Sequence, residues 1–261
     1  TYYKQMQWIL DNRAGLNIQM AVHLGDVTNN KTTEQWAIAT KAHAMLDTAD
    51  MPYSMVPGNH DYKSSGDYTR SDTLYGDYFG RSRFDGKPWY GGSKEAANLN
   101  NYTFFEVGPY RFMVVSLEYA PRKDALCWAD ELIAAHPDRR VILATHCYLT
   151  HNGAYGSNCP DADYDIPGGN GAHVWRELAS RHANVFLVVS GHVGDSEYVP
   201  APGNNGNTVH QVLADYQFEA YCSAGSAASC ANNCRAGTYT GNGWLRLLTF
   251  KPAENRIEAS T

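Results

Sequence analysis

Four short apolar runs in this chain each end on a residue that suits a metal or a phosphate. Ala21-Val22-His23-Leu24 leads into Gly25-Asp26. Tyr53-Ser54-Met55-Val56 leads into Pro57-Gly58-Asn59-His60-Asp61. Val141-Ile142-Leu143-Ala144-Thr145 delivers His146, and Val185-Phe186-Leu187-Val188-Val189-Ser190-Gly191 delivers His192. Runs of this kind read as buried strands. In open α/β sheets, the edge at the strands' carboxyl ends is where ligands bind. An Asp, an Asn and two His form a hard-to-borderline donor set that suits Zn, Mn or Fe.

Helical patterns alternate with these runs. Residues 3–16 are amphipathic, with Met6, Ile9 and Leu10 on one face. Residues 34–49, 122–135 and 172–182 are read as further helices, with Pro137 and the Gly168-Gly169 pair at boundaries. Asn101–Val107 and 111–117 flank Gly108-Pro109 as a β-hairpin. Segments 209–216, 244–250 and 256–259 are expected to form a second sheet. Stretches 63–98, 147–171, 199–208 and 220–242 read as long polar loops. The alternation argues for α/β layers. With no repeat and no linker, residues 1–261 are taken as a single domain.

Bulk composition narrows the function. The chain is 43% hydrophobic, enough for a packed core. It lacks any apolar run near the roughly 18 residues of a membrane span, and no signal peptide is seen, so no membrane role is expected. The formal net charge is -6 without a Lys/Arg cluster, which argues against nucleic acid as the main partner. A small anionic substrate stays open, because bound cations reverse the local sign. The six cysteines are read as favouring disulfides over free or metal-bound thiols, and with them a secreted or periplasmic protein. At least one disulfide is expected within Cys222, Cys230 and Cys234 or from them to Cys147 or Cys159. The sequence does not set the oligomeric state.

The ordered blocks Gly25-Asp26, Gly58-Asn59-His60-Asp61, His146 and Gly191-His192 resemble those of the metallophosphoesterases, the calcineurin-like phosphoesterase superfamily. The resemblance spans at least residues 21–194. Leu213-Ala214-Asp215-Tyr216-Gln217 and Gly243-Trp244-Leu245-Arg246 look like the last strands of a secreted bacterial branch. It implies a four-layer αββα sandwich. It also implies a hydrolase of small phosphate esters, mono- or di-, with one or two divalent ions and a metal-activated water. In that pattern Asp26 bridges two ions, and Asn59, His146 and His192 complete one ion's ligands. His60 contacts the phosphoryl oxygen or protonates the leaving group, Asp61 orients His60, and His151 is a candidate substrate contact.

The chain departs from the pattern in two places. An Asp-containing first strand is not seen before residues 1–3, and the last block reads Gly191-His192-Val193-Gly194, where Gly194 has no side chain to offer. Asn29 is then a candidate second-site ligand. Either the sequence is a fragment lacking its first strand, which is the favoured reading, or the site is mononuclear or loosely dinuclear. The alternative function is a non-catalytic binding module retaining a degenerate metal site. Taken singly, Asp26 and Asn59 would be turn residues, and the two histidines core residues; the constellation argues otherwise.

Overall fold

The computed structural model describes residues 1–63, 70–156, 169–217 and 243–261. In chain order the elements are α1 (Tyr2–Asn12), β1 (Ala21–His23), α2 (Thr33–Thr48), β2 (Tyr53–Met55) and α3 (Tyr75–Phe79). Then come β3 (Tyr90–Ser93), β4 (Asn101–Val107), β5 (Tyr110–Leu117), α4 (Lys123–Ala134), β6 (Arg140–Thr145) and α5 (Gly171–Val174). Strands β7 (Val185–Ser190), β8 (Ser196–Pro202), β9 (Thr208–Ala214), β10 (Leu247–Lys251) and β11 (Arg256–Ser260) complete the chain. Helix α5 continues as a wider π-type turn over Trp175–Ala179.

Seven strands form one mixed sheet in the order β3-β4-β5-β6-β7-β9-β8. The core β5-β6-β7-β9 is parallel, and the outer pairs are antiparallel. Strand β5 shows why its run is apolar throughout. Phe112 and Val114 point to one cluster, and Met113, Val115 and Leu117 to another. Successive side chains alternate faces, and here both faces are covered. On one face lies α4, through Leu126, Ala129 and Ile133. On the other lie Val22 and Leu24 at the end of β1, and Leu248, Phe250 and Ile257 of the β10-β11 hairpin. Strands β1 and β2 pair in parallel, and α1 and α2 pack over them through Met6, Ile9, Trp36, Ala39 and Leu46. Helix, strand pair, large sheet and helix thus stack as four layers, the expected mixed α/β arrangement.

Three local expectations are corrected. Segment 209–216 does not join the second sheet: β9 lies in the large sheet beside β7. The reason is two-sided burial. Val209 and Leu213 face the helix side, whereas Val212 faces the inter-sheet core. The polar stretch 199–208 contains most of edge strand β8, whose burial alternates along its length. Its Pro200 and Pro202 are tolerated because an edge needs fewer backbone donors. Stretch 63–98 contains α3 and β3, anchored by buried Tyr75, Phe79 and Trp89. Among the described residues, Cys127 is free and exposed, whereas Cys147 is buried and not free. The expected partners Cys159, Cys222, Cys230 and Cys234 lie outside the described residues.

Candidate metal centre

The loops after β1, β2, β6 and β7 meet at one edge of the two sheets. They can meet because two glycines let backbone approach backbone. Gly25 has φ +99, and a Cβ there would lie 2.6 Å from His146 Nδ1. A Cβ on Gly58 would lie 2.1 Å from Asp26 Oδ1. Asp26 and His192 take left-handed backbone, at φ 52 and 70. Such angles are costly for non-glycine residues and cluster at functional sites.

Four lone-pair atoms converge there. His146 Nε2 is 3.0 Å from Asn59 Oδ1, 3.1 Å from His192 Nδ1 and 3.3 Å from Asp26 Oδ1. His192 Nδ1 is 3.0 Å from Asn59 Oδ1. His146 Nδ1–H donates to the carbonyl of Leu24 at 2.6 Å, so Nε2 is the nitrogen that must hold a proton or a cation. Donors 2.0–2.2 Å from a shared ion sit about 2.8–3.6 Å apart in octahedral or tetrahedral sets. The spacings seen fit that range, and Asp, Asn and two His are a workable donor set. Among the described residues no group of three or more His, Cys, Asp and Glu meets the geometry of a metal site on its own. His192 joins the set through both the Asn59 amide and His146.

Electrostatics agree. Burial raises the Asp26 pKa, but the charge and hydrogen bond of His146 outweigh it and bring Asp26 to about 2. Burial lowers His146, but Asp26 outweighs that too and its pKa is raised. His146 Nε2 thus faces the Asp26 carboxylate, where a proton or a divalent cation would hold the acidic and basic groups together. Tyr119 packs its ring on both histidines, with centroids 5.7 Å from His146 and 5.5 Å from His192.

His60 stands beside the cluster. Its N–H donates to Asp26 Oδ1 at 3.1 Å, and its Nδ1 lies 3.0 Å from the Asn29 carbonyl. That bond makes Nδ1 the donor and fixes the orientation of the ring.

Two expectations fail on geometry. Asp61 does not orient His60. Its carboxylate accepts from Gly58 N–H at 2.8 Å, Val27 N–H at 3.0 Å, Thr28 N–H at 2.8 Å and Thr28 hydroxyl at 3.0 Å. It is fully buried and ties the loop after β1 to the loop after β2. Burial, then the nearby Asp26, push its pKa up to about 6, against the pull of those donors. Asn29 does not turn its side chain inward. Its amide donates to Asn30 and its N–H to Gln35 at the start of α2, so only its carbonyl reaches the site, through His60. His151 sits exposed in the turn between Leu149 and Tyr155, and among the described residues it makes no contact with the cluster. Sequence reading missed Tyr119, Thr28 and the Leu24 carbonyl; the glycines before Asp26 and Asn59 were the available signal of close approach. His23 is half-buried at the end of β1, with its ring against Tyr2 and His43. Its Nδ1 accepts the Gly25 N–H at 3.2 Å, and burial takes its pKa to about 4.

Comparison with known proteins bears on the same region. The model for the calcineurin-like phosphoesterases matches residues 1–196. An uncharacterised protein of Bacillus subtilis (strain 168), YvnB, is 31% identical over 99% of this chain. The chain spans 18% of that relative's length. Among solved structures, a dimetal phosphatase from Danio rerio superposes with a TM-score of 0.50 at 17% identity, covering 81% of this chain and 76% of that one. A purple acid phosphatase from yellow lupin seeds superposes with a TM-score of 0.51 at 15% identity, covering 81% and 38%. At such identities the two structures speak to the fold.

Proposed function

This chain belongs to the calcineurin-like phosphoesterase family, and we propose that it hydrolyses small phosphate esters with a divalent cation held by Asp26, Asn59, His146 and His192. The observation that carries the reading is the convergence of His146 Nε2, His192 Nδ1, Asn59 Oδ1 and Asp26 Oδ1 within 3.0–3.3 Å contacts. Zn, Mn and Fe all suit those donors. A cation bound there would polarise a phosphoryl oxygen and acidify a water.

The protein's own groups supply the rest. Leu24 and Tyr119 orient the two imidazoles, and Asp61 holds the loops that carry Asp26 and Asn59. His60 Nε2 protonates the departing alkoxide. General acid action of this kind is worth roughly 10²–10⁴-fold. Phosphomonoesters and diesters both fit this chemistry. The cysteine count and the state of Cys147 support an oxidising compartment with a disulfide from Cys147.

The test is hydrolysis of p-nitrophenyl phosphate and bis-p-nitrophenyl phosphate by stripped protein reloaded with each metal. Turnover should require metal and fall roughly 10²-fold or more in His60→Ala with metal content unchanged. Stoichiometric metal binding with no turnover on either ester would overturn the hydrolase reading in favour of a binding module.

A further inference from the structure

We propose that the cleft between the β10-β11 hairpin and the large sheet is a second ligand site, one that takes an aromatic organic anion such as an aryl carboxylate. The cleft has a volume of about 510 Å³, within the range of small-molecule sites. Its Arg140 end is remote from the metal cluster. Arg140 lines it at the first residue of β6, and His146 follows the last, so six residues at about 3.3 Å each separate them by roughly 20 Å.

Its floor is aromatic. Phe112, Phe186 and Phe250 form a triangle with centroids 5.6–6.1 Å apart. Tyr198 and His210 stack at its mouth, joined by a 2.8 Å hydrogen bond, and Tyr198 is 57% exposed. Its rim is cationic. The Arg140 guanidinium lies 4.6 Å from the Phe186 centroid. Arg246 donates to Tyr216 and Ser196 hydroxyls. Among the described residues neither arginine pairs with a carboxylate, although the chain as a whole carries a net charge of -6. Lys251 and Arg256 also line the cleft, but Glu254 and Glu258 neutralise them. Glu197 also lines the cleft. Burial and the charge of Arg140 lower the His210 pKa, as expected for an uncompensated positive field. The Arg140 guanidinium on the Phe186 face recognises a carboxylate attached to a flat ring, whereas Arg246 bonds Ser196 at the opposite end of the cleft.

Titration calorimetry with 2-naphthoate and its neutral analogue 2-naphthamide tests this. Naphthoate should bind one to one, and naphthamide about tenfold more weakly or worse. Arg140→Gln should weaken naphthoate about tenfold, Arg140→Lys, which keeps the charge, should retain most of the affinity, and Arg246→Gln, at the opposite end of the cleft, should bind as the unaltered protein does. Asn59→Ala should bind naphthoate as the unaltered protein does. The proposal is overturned if naphthamide binds equally, if Arg140→Gln binds normally, or if Asn59→Ala abolishes binding, which would move the probe to the metal cluster.

Discussion

His146 Nδ1 lies 2.6 Å from the carbonyl oxygen of Leu24, two residues before Asp26 in the chain. One bond thus fixes the tautomer of a site histidine and anchors the loop that delivers the site carboxylate. Bonds of this kind to a ligand's far nitrogen tune metal affinity by roughly 10–100-fold.

Metal content follows from this arrangement. Metal titration should show one tight divalent ion per chain, weakened about tenfold or more in Asn59→Ala and His146→Ala. Asp26 raises the His146 pKa, so a cation would compete with a proton for Nε2. Affinity should therefore rise with pH, and calorimetry in buffers of different ionisation enthalpy should register proton release. Binding with no proton release would contradict the ion-pair geometry.

Gly58→Ala probes the close approach of the loops. The new Cβ would meet Asp26 Oδ1 at 2.1 Å and Asp26 N at 2.2 Å. Both loops would have to shift, at a cost of about 2 kcal/mol or more in urea unfolding, with loss of metal affinity. Gly15→Ala meets nothing within 4 Å and should leave both properties unchanged.

Asp61→Asn keeps the shape but replaces one acceptor oxygen with an NH2 that faces backbone donors. With four donors converging on that carboxylate, the variant should lose about 2–4 kcal/mol of stability. Thr28→Val, which removes a single hydroxyl donor, should lose about 1 kcal/mol. Equal losses would mean that Asp61 does not join the loops.

His43 predicts a pH dependence of folding. It is buried beneath Tyr53 and Phe79, and burial lowers its pKa to about 3. Unfolded, it titrates near 6.5. Between these values the unfolded chain binds the extra proton, so stability rises with pH. Going from pH 7 to pH 5 should cost about 2 kcal/mol through this residue alone. In His43→Leu the pH-dependent loss should shrink by that amount. An unchanged slope would show that His43 is protonated in the native state.

Much of the architecture was readable along the chain. The hairpin over Asn101–Val107 and its partner, the strands before His146 and His192, and three of the helices all rest on local periodicity. Periodicity is a local property, set by which face each residue turns to the core. Strand β9 was assigned to the wrong sheet because sheet membership depends on which neighbour offers a free edge. No window of sequence carries that information.

The donor set was legible for a related reason. Asp26, Asn59, His146 and His192 each sit at the end of an apolar run, and a parallel sheet brings such ends to one edge. What the side chains do there was settled by packing in three dimensions. Asp61 is adjacent to His60 in sequence, yet its carboxylate turns to the backbone N–H groups of a loop more than thirty positions away. Asn29 is three residues from Asp26, yet Gln35 draws it toward the start of α2. A buried carboxylate goes where unpaired backbone donors are, and those donors exist only once Gly25 and Asp26 have taken positive φ. Residue type and strand position select the candidates; the contacts made after folding decide which of them converge and which hold the converging loops in place.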